Sequence, residues 1–375
     1  MRHVRTALLV LGVFIFIVVG IFVISLTLPI EAWRTGELPT AMLAVVPGQS
    51  FSVPPIRVWI DTDAACGHAS RTDPDDCLAI LLLAQQGSIE IVGVSTVFGN
   101  APLTVTDQTT RALMAALEES GLRPVPIHSG SSEPMTKGAV AGAIPLHEAH
   151  EALRAALKNE PLTIVALGPL TNIAGALENQ PDLQSNVIRL VAVMGRRKGH
   201  LFHPIEGGTA HSVLGHGPVF RDFNFAQDEE AATAVLTMKL PMTLVPYEAA
   251  RDVTLGDAAL DAMAARGGAT AWMAQRARPW LAYWREDIGR TGFYPFDLIA
   301  AAYVIQPSLL YCTGVSVSIG DDTWVLGWLG FRGLFVVSAE EPALNPIATR
   351  SALYCPQVSE QLESWLLRRL TGAPA

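Results

Sequence analysis

The sequence predicts an α/β domain built on a mostly parallel central sheet with helices on both of its faces. From residue 56 onward, short continuous apolar runs alternate with longer segments of helical period. Continuous apolar runs are typical of strands that are buried on both sides, as in parallel sheets. Hydrophobic residues make up 50% of the chain and charged residues 16%, so the chain has enough apolar material for one large core.

The predicted elements follow one another without an internal repeat or a low-complexity tract. Residues 56–61, which read IRVWID, form a strand that leads into an acidic loop, and residues 77–86 form a helix that ends before Gly87. The further predicted strands cover residues 89–96, 125–128, 162–167, 187–194 and 242–246, and the further predicted helices cover residues 106–119, 147–157, 171–179 and 228–237. We therefore expect one domain over residues 55–375.

The first thirty residues differ from this pattern. Residues 7–30 contain no charged side chain, and a helix of that length, at about 1.5 Å per residue, would cross the roughly 30 Å hydrocarbon layer of a membrane. Arg2 and Arg5 precede the segment, so the positive-inside rule puts the domain on the outer side, periplasmic or extracellular. We expect residues 1–30 to be a single membrane anchor and residues 31–54 to be a tether. A cleaved signal peptide, whose apolar region usually has about 7–15 residues, is the alternative.

The net charge limits the partners of the chain. The sequence has 26 basic and 35 acidic residues, which gives a net charge of −9, and no basic face is visible. A polymeric nucleic acid is therefore not expected as a ligand. The acidic excess fits a site that gathers carboxylates around a cation. The sequence does not fix an oligomeric state, and a homo-oligomer is left open.

Four cysteines stand at positions 66, 77, 312 and 355, and none belongs to a Cys-x-x-Cys pair. A zinc ribbon is therefore not indicated. An exported domain permits disulfides, and Cys312 with Cys355 is one pairing within the C-terminal part of the chain. Four buried thiols are the alternative.

A dense group of aspartates follows the first predicted strand. They are Asp61, Asp63, Asp73, Asp75 and Asp76. Ligands of open α/β sheets bind at the carboxyl ends of the strands, and carboxylates crowded there repel one another unless they are exposed or bind a cation. Their hard oxygen atoms suit calcium or magnesium. A solvated acidic loop is the alternative, but the position at the end of a buried strand favours a site.

Two enzyme classes place an Asp-x-Asp motif at the end of the first strand. In phosphatases of the haloacid dehalogenase type, Thr or Val commonly stands two residues after the second Asp, where this chain has Ala65. In the nucleoside hydrolases, a DxDxxxDD signature spans the first strand and the start of the following helix. The chain offers Asp61 and Asp63 for the first part of this signature and the pair Asp75 and Asp76 for the second.

Further segments, in the same order along the chain, resemble the inosine-uridine preferring nucleoside hydrolase family. They are VFGN at 97–100, LTIVALGPLTNIAGAL at 162–177, VMG at 193–195, DFNFAQDEEAA at 222–232 and FDLIAAAYVIQPSLL at 296–310. The combination is specific, although no single segment is. The resemblance implies a nucleoside hydrolase-like, Rossmann-like fold and hydrolysis of the N-glycosidic bond of ribonucleosides or related N-ribosides.

The resemblance also implies a ribose clamp built on one calcium ion. Its implied protein ligands are the carboxylates of Asp63, Asp75, Asp76 and Asp297 and the main-chain carbonyl of Leu167. Asp63 is further implied as the general base that takes a proton from the attacking water, while nearby carboxylates stabilise the cationic ribosyl group. The implied substrate contacts are Asn100, Met194, Asp222, Asn224 and Phe296, with Asp222 in the place of a Glu.

Three departures from the family pattern bear on the activity. Residues 64–74, eleven in number, separate Asp63 from Asp75 where the family usually has three, and this insertion also permits Asp73 in the metal shell. Phe296 stands where many members have a His that protonates the leaving base. The usual Asn after Val-Met-Gly is not evident. The remaining candidates for a leaving-group acid are His68, His200, His203, Tyr283, Arg290 and Tyr294.

Two other interpretations stay open from the sequence. A diverged member that keeps the ribose clamp but has lost turnover would be a nucleoside-binding or ribose-binding protein, and Phe296 favours it. A phosphatase of the dehalogenase type is disfavoured by Ala65 and by the pair of adjacent aspartates.

Overall fold

We analysed a computed structural model of the chain. The structure describes residues 46–47, 55–135, 147–197, 222–321, 332–337 and 344–372. The predicted membrane segment, residues 7–30, lies outside these ranges, as does most of the predicted tether. In the ranges that are described, no helix is both long and apolar enough to cross a bilayer.

The described strands and helices occupy the following positions. The strands are β1 (Val46–Pro47), β2 (Ile56–Thr62), β3 (Ile89–Thr96), β4 (Ile127–Ser129), β5 (Leu162–Ala166), β6 (Val187–Ala192), β7 (Arg196–Arg197), β8 (Met242–Leu244), β9 (Leu255–Gly256), β10 (Gly292–Phe293), β11 (Leu310–Asp321), β12 (Arg332–Val337) and β13 (Leu344–Val358). The helices are α1 (Asp75–Ala84), α2 (Leu103–Glu119), α3 (Glu148–Asn159), α4 (Thr171–Leu177), α5 (Pro181–Gln184), α6 (Phe223–Gln227), α7 (Glu229–Thr237), α8 (Asp257–Arg266), α9 (Gly268–Tyr283), α10 (Phe296–Ile305) and α11 (Leu362–Thr371).

The central sheet is mostly parallel, as predicted. Strands β4, β3, β2, β5, β6, β8 and β13 lie side by side in that order and run parallel. From β2 the chain builds outward through β3 and β4 on one side, and it then returns to place β5 on the other side. Such a reversal opens a crevice at the carboxyl ends of the strands. The crevice between β2 and β5 is therefore the expected position of a ligand.

An antiparallel extension completes the sheet, and the sequence did not predict it. Strand β13 pairs with β11, and β11 pairs with β12, both antiparallel, while β12 pairs in parallel with the two-residue β7. Val46–Pro47, within the predicted tether, adds a short antiparallel pairing to β11. Strands β9 and β10 form a separate two-stranded sheet.

Helices cover both faces of the parallel sheet because each strand is apolar on both sides. In β2, Val58 and Ile60 pack into one hydrophobic cluster together with α1, α2, α8, α9 and α10. Trp59 points the other way, into a second cluster with α3, α4, α5 and α7. All three side chains are at most 1% exposed. The predicted arrangement of helices on both faces is thereby confirmed.

Helix α1 begins two residues earlier than predicted, at Asp75 rather than at residue 77. The two aspartates therefore occupy its first turn, where the positive end of the helix dipole favours carboxylates. This helix start brings both carboxylates to the end of β2.

The cysteines form two disulfides, Cys66 with Cys77 and Cys312 with Cys355. The second pairing is the one considered from the sequence, and it joins the neighbouring strands β11 and β13. The alternative of four buried thiols is wrong. The first disulfide closes the insertion between Asp63 and Asp75 onto α1.

Candidate active site

The loops that follow β2, β3, β5 and β6 meet at one edge of the sheet. Main-chain hydrogen bonds hold these ends together. The N–H of Val97 donates to the carbonyl of Thr62 over 3.0 Å, and the N–H of Leu167 donates to the carbonyl of Asp61 over 2.8 Å. The predicted site residues therefore start from neighbouring strand ends although they are distant in sequence.

Three buried carboxylates form the centre of this edge. One oxygen each from Asp75, Asp76 and Asp297 lies within 4.8 Å of the others. Asp75 and Asp76 come from the first turn of α1, and Asp297 comes from the first turn of α10. The main-chain N–H of Asp297 donates to Asp75 Oδ2 over 2.9 Å, which joins the two helix starts. These three residues were all predicted as metal ligands.

Asp63 lies beside this cluster and is 1% exposed. Its main-chain N–H donates to Asp76 Oδ1 over 3.2 Å, and its Oδ2 accepts from the main-chain N–H of Asn100 over 2.7 Å. Its other oxygen, Oδ1, is buried without a hydrogen-bond partner among the described residues. A buried carboxylate oxygen without a partner is costly, so this atom calls for a proton, a water molecule or a cation.

Gly99 permits the close approach of the β3 loop to Asp63. A Cβ added at Gly99 would overlap the carboxylate of Asp63. The glycine also has a φ of +155°, a conformation that other residues rarely adopt. The predicted VFGN segment therefore contains a glycine for a steric reason.

The cluster is electrostatically unfavourable on its own. Burial, together with the neighbouring charge of Asp75, raises the pKa of the Asp76 carboxyl to about 6. Burial followed by the charges of neighbouring aspartates also raises the pKa values of Asp63 and Asp297, and burial raises that of Asp75. Charged carboxylates in a dry pocket are disfavoured unless an opposite charge compensates them. The pocket is therefore suited to a cation.

The donor atoms fit a hard divalent cation. The cluster offers carboxylate oxygens from Asp75, Asp76 and Asp297, and Asp63, the fourth predicted carboxylate ligand, is not in this group of three. No thiolate or imidazole belongs to this group of carboxylates, so calcium or magnesium suits it better than a softer metal. The implied carbonyl ligand, Leu167, accepts a hydrogen bond from Asn224 Nδ2 over 2.5 Å.

Asp222 and Asn224 lie at the start of α6, on the side of the site formed by β5 and β6. Asp222 caps the helix through Phe225 N, and its Oδ2 accepts from Gly195 N over 2.7 Å. Burial raises its pKa to about 6. Asn224 Nδ2 also donates to the carbonyl of Val193 over 3.0 Å. The two side chains therefore tie α6 to the strand ends beside the carboxylates.

The other predicted substrate contacts have different surroundings. Asn100 is part-buried, and its Nδ2 donates to Asp76 Oδ2 over 3.1 Å. Together with its main-chain N–H, which donates to Asp63, it contacts two of the carboxylates. Met194 is 2% exposed and belongs to the second hydrophobic cluster. Phe296 is half-buried and packs against the first cluster. Their roles toward a substrate stay predictions.

The described candidates for a leaving-group acid lie in the insertion, at the end of α9 and on either side of β10. His68 is exposed. Arg290 donates to the hydroxyl of the buried Tyr294 over 2.7 Å, and the guanidinium of Arg71 lies 5.2 Å from the ring centre of Tyr283. The two remaining candidates, His200 and His203, lie outside the described ranges.

Sequence reasoning missed the polar residues behind the cluster. Thr62 Oγ1 donates to Asp76, and Ser95 Oγ donates to Asp61. Asn172 Nδ2 donates to Asp61 over 2.7 Å, while its Oδ1 accepts from the main-chain N–H of Ser131. These contacts cross up to four strand ends, and no spacing in the sequence indicates them. Burial nevertheless raises the pKa of the Asp61 carboxyl to about 7.

Comparison with known proteins agrees with this geometry. A sequence model of the family described as inosine-uridine preferring nucleoside hydrolase matches residues 58–343. Uridine nucleosidase 1 of Arabidopsis thaliana is 29% identical over 270 residues, 65% of this chain and 75% of the relative. The non-specific ribonucleoside hydrolase RihC of Salmonella enteritidis is 26% identical over 273 residues, 66% of this chain and 81% of the relative.

Solved structures show the same fold. The plant nucleoside hydrolase PpNRh1 has a TM-score of 0.65 at 18% identity and covers 85% of this chain and 100% of its own. The purine-preferring ribonucleoside hydrolase from Gardnerella vaginalis has a TM-score of 0.61 at 18% identity and covers 84% and 98%.

The fold and the family match together define a hydrolase that acts on N-ribosyl compounds. The chain belongs to the inosine-uridine preferring nucleoside hydrolase family, whose model matches well over half of its length. This assignment replaces the alternative of a dehalogenase-type phosphatase.

Proposed function

We propose that the chain hydrolyses the N-glycosidic bond of ribonucleosides or related N-ribosides, with a calcium ion in the carboxylate pocket. The observation that carries this proposal is the buried group of Asp75, Asp76 and Asp297 beside Asp63, at the switch point of a nucleoside hydrolase fold. The curated relatives named for ribonucleoside or uridine hydrolysis support the substrate class.

Asp63 is the residue that we propose as general base. Burial and the neighbouring carboxylates raise the pKa of Asp63 in the metal-free protein, and a carboxylate within hydrogen-bonding reach of water can act as a general base. One of its oxygens is held by Asn100, and the other has no partner among the described residues and can accept a proton. Water then adds to the anomeric carbon as the C–N bond breaks, one proton of the water passes to Asp63, and the base leaves with the bonding electron pair and takes a proton from solvent.

The carboxylates have a second role in this proposal. Positive charge develops on the ribosyl ring as the C–N bond breaks, and fixed negative groups stabilise that charge more than they stabilise the neutral substrate. The calcium ion would be held by the carboxylates of Asp63, Asp75, Asp76 and Asp297 and by the carbonyl of Leu167. When bound, the ion supplies positive charge that makes water more acidic and offsets the repulsion within the cluster.

The sugar would be oriented by the residues at the start of α6. Asp222 and Asn224 are fixed by hydrogen bonds to main-chain groups after β5 and β6, so they present a rigid edge to a ligand. Rigid positioning is the contribution that such residues make to catalysis. Asn100 and Met194 would border the same pocket.

Phe296 affects how fast substrates with different leaving groups are cleaved. A positioned acid commonly contributes about 10²–10⁴-fold to such a reaction, and a phenyl ring cannot donate a proton. The ring can still stack on an aromatic base. Common nucleosides should therefore be cleaved more slowly than a riboside whose leaving group needs no protonation.

The test compares nitrophenyl riboside with inosine and uridine on one preparation. We expect much faster cleavage of the nitrophenyl riboside, and Asp63→Ala should lower both activities by about 10²–10⁴-fold because water activation serves both. Asp261→Ala, which removes an exposed carboxylate on α8, is the matched control and should leave both rates unchanged. Phe296→His should raise inosine or uridine turnover relative to the activated substrate.

Two results would change the assignment. Equal turnover of both substrate types by the wild type would mean that another residue supplies the acid. If neither substrate is turned over while ribose still binds, the chain is a ribose-binding member of the family, the alternative that Phe296 favours.

We further propose that residues 7–30 anchor the chain in a membrane, with the hydrolase domain on the outer side. The support is the uncharged length of this segment and the two arginines that precede it. The two disulfides fit an oxidising compartment.

A further inference from the structure

The insertion between Asp63 and Asp75 begins and ends beside the carboxylate cluster. Its middle part, residues 67–71, is exposed, whereas residues 64–66 at its beginning are at most 3% exposed. Its end continues directly into the first turn of α1, which carries Asp75 and Asp76. The two ends of the insertion are therefore buried at the site, while its middle lies in solvent.

Two cross-links hold the ends of the insertion together. The main-chain N–H of Asp63 donates to Asp76 Oδ1 over 3.2 Å. The disulfide between Cys66 and Cys77 joins the buried beginning of the insertion to the residue directly after Asp76. Both cysteines belong to the first hydrophobic cluster and are 3% and 0% exposed. A covalent bond therefore adjoins the helix turn that carries two of the three clustered carboxylates.

Further contacts of the insertion lie on its exposed part. Arg71 pairs with Asp287 over 3.1 Å, and the two side chains are 68% and 46% exposed. Exposed ion pairs of this kind stabilise a structure only weakly. Gly67 packs on α9, where an added Cβ would lie 2.8 Å from Arg276 Cγ. These contacts hold the outer part of the insertion, whereas the disulfide holds the part that adjoins the carboxylates.

In the metal-free protein, charge repulsion acts against this arrangement. One oxygen each from Asp75, Asp76 and Asp297 lies within 4.8 Å of the others, and like charges at such a distance repel in a buried pocket. Asp63 is buried beside them. A cross-link between the two ends of the insertion opposes their separation before an ion binds. A site that is already held in its binding geometry binds an ion more tightly, because the ion does not have to bring its ligands together.

We propose that the Cys66–Cys77 disulfide positions the carboxylates of the cation site, so that the chain reaches its full affinity for calcium only after these two thiols are oxidised. The inference rests on the proposed cation site and adds a covalent condition to it. The bond forms when the two thiols give two electrons and two protons to a disulfide oxidant, such as oxidised glutathione, which is reduced to two thiols. An oxidising compartment, as proposed for this domain, supplies such an oxidant.

Calorimetric titration of the metal-free full chain with calcium tests the proposal. A double variant, Cys66→Ala with Cys77→Ala, lacks the disulfide but keeps every carboxylate. We expect one ion per chain in both proteins and an affinity about 10–100-fold lower in the variant. At saturating calcium, the variant should cleave nitrophenyl riboside at close to the wild-type rate, because the reacting groups are unchanged.

The second disulfide provides a matched control. The double variant Cys312→Ala with Cys355→Ala loses the bond between β11 and β13, which carry none of the predicted metal ligands. This bond spans 43 positions of sequence and the Cys66–Cys77 bond spans 11, so the loss of loop constraint predicts a larger fall in melting temperature for the control. Its calcium affinity should nevertheless equal that of the wild type. The two variants should therefore rank in opposite order for stability and for calcium binding.

The control variant also allows a reversible test, which does not depend on the folding of the Cys66→Ala, Cys77→Ala variant. Of the four cysteines in the chain it keeps only Cys66 and Cys77. Reduction with dithiothreitol, checked by counting free thiols, should lower its calcium affinity. Reoxidation with oxidised glutathione should restore that affinity.

The outcomes separate this inference from the proposed function. If the wild type binds calcium and loss of the Cys66–Cys77 bond leaves the affinity unchanged, the positioning role is wrong, while the cation site stands. Equal losses of calcium affinity in both double variants would mean that the disulfides act only through stability, which also contradicts the inference. If the wild type binds no calcium, the proposed cation site is wrong and the inference fails with it.

Discussion

The carboxyl group of Asp76 accepts hydrogen bonds from Thr62, from the N–H of Asp63 and from Asn100 Nδ2. Three donors would ordinarily lower the pKa of a carboxyl group. Burial and the charge of Asp75 outweigh them, and the pKa rises to about 6. For the charged form of Asp76, the free-energy cost of lost hydration is therefore larger than the gain from hydrogen bonding. A bound proton or a bound cation would offset that cost.

The metal-free protein is predicted to become more stable as the pH falls from about 8 to about 5. In the folded protein the pKa values of Asp61 and Asp76 are about 7 and about 6, well above the ordinary carboxyl value of 3.8. The folded state then binds protons that the unfolded state does not bind, so the free energy of unfolding falls as the pH rises. His150, whose pKa burial lowers to about 4, opposes this trend as a single group.

Melting temperatures of the metal-free protein across this pH range measure the effect. With calcium bound, the slope should be flatter because the ion replaces protons on Asp76, while the contribution of Asp61, behind the cluster, should remain. A melting temperature of the metal-free protein that climbs steadily toward pH 8 would contradict the proposed charge state of the pocket.

At the scale of elements, the predicted strands and helices up to residue 244 were found at their expected positions with small shifts at their ends. They were predictable because strands buried on both faces leave continuous apolar runs. Strand β11 was not predictable in this way, since exposed and half-buried residues interrupt its buried ones. A strand in which buried and exposed residues follow one another irregularly leaves no continuous apolar run by which it could be recognised in the sequence.

The predicted membrane anchor, residues 7–30, can be tested by fractionating cells that produce the full-length protein. Full-length protein should be recovered in the membrane fraction, because residues 7–30 are long and apolar enough to span the bilayer. A chain that begins near residue 35 keeps Val46–Pro47, which pair with β11, and should be soluble and folded. Recovery from cells of a protein processed after residue 30 would identify the segment as a signal peptide instead.

At the scale of the whole molecule, the fold joins residues that no local pattern connects. Asp297 donates to Asp75 across 222 positions of sequence. Its place among the predicted ligands came from the family resemblance and not from spacing. The aspartates after β2 were recognisable as a site because they end a buried strand, whereas Ser95 and Asn172, which hold Asp61, carry no such signal.

The proposed calcium-dependent hydrolysis is tested most directly by adding calcium to the metal-free chain and measuring the release of sugar from nitrophenyl riboside. We expect little release without the ion and a rate that saturates as calcium is added. Asp297→Asn should need a much higher calcium concentration, because that side chain belongs to the carboxylate cluster. Cleavage by the thoroughly metal-free protein at the calcium-loaded rate would contradict the proposed role of calcium.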